Sequence, residues 1–351
     1  MKKLFLIPLM IVLAVGLVFS GCAAPAPGPA PAKVYELKLQ CAYPRGDLSM
    51  ETLAVFVDAA DRRSNGQLKI ELFAAPEIVG MFEVPEAVKK GTLDLGMETG
   101  GFWAGVLPVG DVEFSLPYAY RIPEDDTYKG SAEIVRNFFF DSGFLSLLRE
   151  EYAKQGVYYL DIHSYGPVPF MVATKPIKTV DDFKGTPIRT DSMWMEWHNR
   201  IGATGVDIPG DEAYMALKLG TIDAHIWDVS LYTGMGFEEV APYWIRGEEN
   251  DHSIGHIIVN MNVWNSLSPD LQEALAGAGE DYWYAVVDVY ENAIIQCYEM
   301  AKQGVITEVW MDDELIALHE KVAYELWDEY AQKDAACATA VALIKEWRGL
   351  K

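Results

Sequence analysis

The chain has 351 residues, half of them apolar and 12% aromatic, and a net charge of −24 from 28 basic and 52 acidic side chains. That length suggests two domains, and so much apolar content excludes a disordered chain. So acidic a surface argues against nucleic acid or an anionic membrane as a partner, and an anionic ligand has to be captured locally by a placed cation.

Residues 1–21 read as a secretory signal: "MKK" followed by the apolar run "LFLIPLMIVLAVGLVF". "VFSGC" resembles a lipobox, with Cys22 as the lipidated residue after cleavage, and residues 22–33 follow as a Pro/Ala/Gly tether. Removing the signal takes away Lys2 and Lys3 and no acid, so −24 becomes −26. The other cysteines, Cys41, Cys297 and Cys337, are odd in number and lack a C-x-x-C spacing; buried thiols are expected, with one bridge left open.

"YELKLQCA" (35–42) alternates as a strand, and "DLSMETLAVFVDAADRRS" (47–64) has helical period behind an Asp cap. "NGQLKIELFA" gives a turn and a strand, and "EVPEAVKKGTLDLGMET" a helix, a Gly stop and a strand. Residues 124–152 read as helix and 156–162 as strand. A second α/β unit covers 163–249, with strands at "PFMVATK", "TPIRT", "TGVDI" and "TIDAHIWD" and helices at 191–203 and 210–220. "GHIIVNMNVW" (255–264) returns as a strand to the first domain, which comprises 34–162 plus about 250–270. Residues 271–304 carry the longest helical pattern, on the order of 50 Å, and 305–351 a strand and C-terminal helices. Strand–helix alternation is the grammar of α/β sheets.

Candidate ligand residues lie at the ends of these strands, where open α/β sheets bind ligands. Arg189, in "DDFKGTPIRT", offers a planar fork for a carboxylate, or else a structural ion pair. Trp227 and Asp228 end a second strand of the same unit; Trp227 is a ligand wall or a core residue. "TGGFWAG" (99–105) brings Phe102 and Trp103 behind a Gly tip that is a close approach to ligand or a tight turn. Tyr43 opens the strand-end loop "YPRGD", where Arg45 is a second cation or an exposed surface residue. His252 and His256 do not converge on a metal if they lie in a strand, and alternation separates Asp223, His225 and Asp228. No nucleophile stands beside a base, and there is no phosphate loop.

Together these segments resemble the solute receptors of TRAP transporters, of the DctP type, over nearly the whole chain beyond the signal. "VDDFKGTPIRT" is similar to the family's "DLKGLKIRV", and "IGATGVDIPGDEAYMALKLGTIDAHIW" to its "GA-P-P--E-Y-AL--G-IDG-EN". The resemblance implies a two-domain, hinged, periplasmic-binding-protein-like α/β fold with a long domain-spanning helix. It makes Arg189 the carboxylate clamp and Trp227 the residue found in keto-acid and lactate receptors. There a Glu precedes the Trp and helps hold a metal; here Ile226 stands instead, so no cofactor is expected, with a cation bridging the ligand as the alternative. Pro169 and Phe170 replace a second polar contact, which points to an apolar pocket walled by Trp227, Phe170 and Phe102 or Trp103.

The implied function is an extracytoplasmic receptor, not an enzyme, that hands a small apolar monocarboxylate or 2-oxo acid to a TRAP permease. An ectoine-like zwitterion, a C4-dicarboxylate and a secreted lipoprotein enzyme are the alternatives. The implied location is the periplasm or outer face, on a lipid anchor, and residues 312–349 are long enough to pair two copies.

Overall fold

The structure, a computed structural model, describes residues 33–121, 127–168, 170–247 and 251–350. The expected signal, Cys22, the tether as far as residue 32, and Pro169 lie outside these residues. The described strands are β1 (Tyr35–Cys41), β2 (Leu68–Ala74), β3 (Leu95–Glu98), β4 (Val157–Val168), β5 (Phe170–Ala173), β6 (Pro187–Arg189), β7 (Thr204–Val206), β8 (Ala224–Trp227), β9 (Tyr243–Arg246), β10 (Asp251–Asn260) and β11 (Thr307–Trp310). They form two sheets, ordered β2-β1-β3-β10-β4 and β11-β9-β5-β8-β6-β7. In the first sheet β1, β2 and β3 run parallel, and β10 runs against β3 and β4. In the second, β6 is parallel to β7 and β8, and β5 runs against β8 and β9. The carboxyl ends of β1, β3 and β4 therefore share one edge, and those of β6 and β8 share another.

The helices are α1 (Leu48–Thr52), α2 (Ala54–Arg63), α3 (Val84–Lys90), α4 (Val109–Ser115), α5 (Tyr128–Asp141), α6 (Phe144–Lys154), α7 (Val180–Phe183), α8 (Ser192–Ile201), α9 (Gly210–Leu219), α10 (Ser230–Thr233), α11 (Met261–Ser266), α12 (Pro269–Lys302), α13 (Asp313–Tyr330) and α14 (Ala335–Trp347). Three expected elements are divided. The helix at 47–64 breaks at Leu53 into α1 and α2, although Asp47 is its cap as expected. The helix expected at 124–152, whose residues 124–126 lie outside the described ones, is α5 and α6, parted at Gly143, whose φ of 89° is left-handed. The strand at 255–264 stops at Asn260, because the Asn260 side chain accepts from the Asn262 and Val263 amides and starts α11. Strand β9 and helix α4 carried no clear pattern in the sequence.

Helix α12 has 34 residues, begins with Pro269 in its first turn, and buries Leu271, Leu275, Ala278, Tyr282, Val286 and Tyr290 at helical spacing. It packs on α1, α2 and β4 beside the first sheet and on α10 beside the second. Further along, the Tyr298 hydroxyl accepts from Arg246 of β9 at 3.1 Å, and its ring lies 5.3 Å from that of Trp244. The first-sheet core also buries charge: Arg136 forks onto Asp161 at 3.1 Å, and His256 sits between Glu98 and Glu113, 2.8 Å from each. Burial alone would push His256 down, but the two carboxylates outweigh it and hold it at about 10, so it is a cation. Among the described residues no helix is long and apolar enough to cross a membrane.

Candidate functional site

The strand ends converge on one small cavity, with about 350 Å³ of space between atoms when its opening to solvent is included. Arg189 stands in its wall at the end of β6, only 1% exposed. Its Nε donates to the Ile208 carbonyl at 2.9 Å, and its Nη1 meets Asp191 Oδ2 at 2.8 Å. Its Nη2 is buried and has no partner. An unpaired guanidinium nitrogen is costly to bury, and an anionic oxygen from the cavity would satisfy it.

Trp227 ends the neighbouring strand β8, and the Arg189 guanidinium lies 4.9 Å from the centroid of its ring. The indole N–H donates to Asp47 Oδ2 at 2.9 Å, which ties β8 of the second sheet to the loop after β1 of the first. Asp47 Oδ1 meanwhile accepts from the Ser49 and Met50 amides at 2.8 and 3.2 Å, starting α1. Asp228 lines the cavity as well. Its Oδ1 accepts from the Ser230 amide at 2.7 Å and its Oδ2 from the Tyr290 hydroxyl of α12 at 2.8 Å. Burial, and then the nearby Asp47, push the Asp228 carboxyl well above the carboxylate range; burial also raises Asp47.

The first sheet contributes Tyr43 and Tyr165, whose hydroxyls meet at 2.5 Å, and Phe102. The rings of Tyr43 and Trp227 meet edge to face at 5.3 Å. Arg189, Trp227, Asp228, Tyr43 and Phe102 are thus gathered around one space.

Two expected wall residues lie elsewhere. Trp103 follows Phe102 in a tight turn and points away from the cavity, against Tyr152 at 6.1 Å with the Lys89 ammonium over its ring. Phe170 is paired with Trp227 in the sheet, but Trp244 and Tyr232 cover its ring at 5.1 and 5.7 Å. Arg45 is exposed and forms an ion pair with Glu77. Asp223 pairs with Lys175, apart from Asp228. His252 bonds to Ser131 at 2.7 Å and His256 to its two glutamates, so the two histidines do not meet. Cys41, Cys297 and Cys337 are free and buried.

The cavity also uses residues that sequence reasoning passed over: Asp191, Trp194 of α8, Phe114 of α4, Tyr165 of β4 and Ser253 of β10. Asp191 and Trp194 follow the clamp directly and open its helix, a position from which a side chain reaches the strand end. Phe114 packs against Trp194 at 4.7 Å with the rings tilted by 47°, and the Met193 amide donates to Asp111 of α4 at 3.3 Å, which fixes α8 against it. No spacing in the sequence announces that contact.

The profile of family 7 of the bacterial extracellular solute-binding proteins, DctP, matches residues 41–334, and the chain belongs to that family. It is a solute receptor rather than an enzyme. The monocarboxylate 2-oxoacid-binding periplasmic protein of Nostoc sp. is 26% identical over 295 residues, 82% of this chain and 76% of its own. The fold is shared with a TRAP periplasmic solute-binding protein of Pseudoalteromonas atlantica with bound sodium and pyruvate. That likeness has a TM-score of 0.80 and 24% identity over 90% of this chain and 94% of the other. A protein of Colwellia psychrerythraea with bound calcium and pyruvate has a TM-score of 0.81 and 23% identity over 90% and 95%.

Among the described residues no group of three or more His, Cys, Asp and Glu side chains is arranged so that it could hold a metal ion. In the cavity wall both oxygens of Asp228 already accept hydrogen bonds, one oxygen of Asp191 is paired to Arg189, and the Ile226 side chain offers no metal ligand.

Proposed function

We propose that this receptor binds a small monocarboxylate with a compact apolar body and passes it to the membrane subunits of a TRAP transporter. One observation carries the reading: Arg189 Nη2 is buried and unpartnered in a small cavity walled largely by Tyr43, Phe102, Phe114, Trp194 and Trp227. Among the described lining residues Arg189 is the only basic one, which favours one carboxylate over two. The solute carboxylate takes Nη2, its body packs on the rings, and exclusion of water strengthens the ion pair. The Trp227–Asp47 bond joins the two sheets over the bound solute, and the joined form is the state that the permease reads. Binding proceeds without a metal ion or cofactor. The chain is carried to the outer face by residues 1–21 and held there through acylated Cys22, on the tether that follows.

A thermal-shift screen of the purified chain against small carboxylates tests this. A solute at 1,000 times its Kd adds about 4 kcal/mol of stability, a large rise in melting temperature. A shift with monocarboxylates and none with C4-dicarboxylates is expected; the reverse pattern refutes the single-clamp reading.

A further inference from the structure

The cavity wall holds two unpaired charged atoms of opposite sign. Arg189 Nη2 has nothing to donate to, and Asp191 Oδ1 has nothing to accept from; both are buried. They belong to one ion pair, since Asp191 Oδ2 meets Arg189 Nη1 at 2.8 Å, and the two side chains are 1% and 9% exposed. A carboxylate placed on Nη2 leaves Oδ1 unanswered. It also adds a negative charge beside the Asp191 carboxylate.

The hydroxyls nearby lean the same way. The Glu98 carbonyl can only accept, so Tyr165 donates to it at 3.3 Å, and Tyr43 in turn donates to Tyr165. With Tyr165 donating to Glu98, both phenol protons are committed, and the Tyr43 oxygen can only accept. The Trp227 N–H is committed to Asp47. Ser253 Oγ is buried, unpaired and able to play either part. A 2-oxo group, which only accepts, therefore finds no donor in Asp191 or Tyr43, and Ser253 Oγ is the one hydroxyl among these left to serve it.

Resting on the carboxylate reading above, we infer that the solute carries a hydrogen-bond donor next to its carboxylate, and that Asp191 selects it over the 2-oxo acid of the same skeleton. The donor is a hydroxyl or a nitrogen-bound hydrogen, and Asp191 Oδ1 accepts from it while Arg189 Nη2 takes the carboxylate. A site built to meet a donor discriminates strongly against the analogue that lacks it, because its own buried acceptor is then left unpaired.

The test is calorimetric titration of the full chain with matched sets on one skeleton: pyruvate, lactate and alanine, then 2-oxoisovalerate, 2-hydroxyisovalerate and valine. In at least one set a donor-bearing member is expected to bind about tenfold or more tighter than the 2-oxo acid. In Asp191→Asn the amide oxygen still accepts from Arg189 and the amide nitrogen replaces Oδ1 with a donor, so the preference should vanish or invert. Ser253→Ala should keep it. If the 2-oxo acids bind as tightly as their partners in wild type, or if Ser253→Ala loses the preference while Asp191→Asn retains it, the inference is overturned and the Arg189 clamp stands. If no member of either set binds, the carboxylate reading falls with it. The wild-type comparison decides the matter even where Asp191→Asn does not fold.

Discussion

Trp227 and Asp47, 180 residues apart, meet at 2.9 Å where the two sheets face each other. One carboxylate performs two tasks there: one oxygen opens helix α1 and the other holds the aromatic wall of the cavity. Neither sheet builds that bond alone, so the contact couples the position of the wall to the joining of the two layers.

Removing either partner should weaken solute binding. Trp227→Phe keeps an aromatic ring but loses the N–H and part of the indole surface, and a fall in affinity of about tenfold is expected. Asp47→Ala also loses the cap and should lower unfolding stability by roughly 0.5–2 kcal/mol. Because both changes remove the same bond, the double variant should bind no worse than the sum of the single losses less the shared term. Strictly additive losses in calorimetry would show that the two residues act independently.

Arg189→Ala should reduce affinity by about a hundredfold or more, since it removes the clamp and leaves Asp191 buried without its partner. Arg189→Lys keeps the charge without the fork and should recover only part of the loss. Titrations in excess chelator should give the wild-type value unchanged. Wild-type affinity in Arg189→Ala would sink the clamp, and a tenfold loss in chelator would restore a metal to the site.

The Gly tip of "TGGFWAG" predicts a stability effect. A Cβ on Gly100 would lie 2.5 Å from the Gly110 carbonyl oxygen, and one on Gly110 would lie 2.4 Å from that of Gly100. The turn and α4 therefore touch backbone to backbone. Gly100→Ala should cost about 1–3 kcal/mol in urea unfolding. Gly105→Ala, where nothing lies within 4 Å, should stay within about 0.5 kcal/mol. Equal midpoints for the two variants would mean that the close approach has no energetic weight.

Acid should destabilise the fold through His252. Burial pushes this imidazole down to about 3, and it stacks on Tyr128 at 4.7 Å as the neutral form. The unfolded chain takes up its proton near pH 6.5, so the contribution is complete above that value and is lost as pH falls toward 3. His252→Gln removes the titration. The stability difference between wild type and variant should shrink as pH drops from 6.5, by at most about 1.4 kcal/mol per pH unit. A difference independent of pH would contradict a neutral buried His252.

Much of this arrangement is legible in the sequence because strand ends obey a topological rule. Arg189 and Trp227 each close a short apolar strand, and the parallel pairing of β6 with β8 sets them side by side. Phe102 and Trp103 show the limit of that logic. They are adjacent in one turn, yet one faces the cavity and the other Tyr152, a choice made by a backbone angle that composition does not encode. Phe114 and Ser253 were illegible for a different reason: long-range packing of α4 and the antiparallel β10 brings them in. The paired hydroxyls of Tyr43 and Tyr165 depend on register between strands far apart in the chain. Helix α12 was plain from its period, whereas the breaks at Leu53 and Gly143 turn on single residues within continuous helical patterns.

Trp227 has one further consequence. Its indole lies against a guanidinium on one side and donates to a buried carboxylate on the other, within contact range of any occupant of the cavity. Such a chromophore is an internal dye: a change in the charge beside its ring shifts its emission. The receptor thus reports its own occupancy in ultraviolet light, without a label, and Trp227→Phe is the variant in which that signal goes dark.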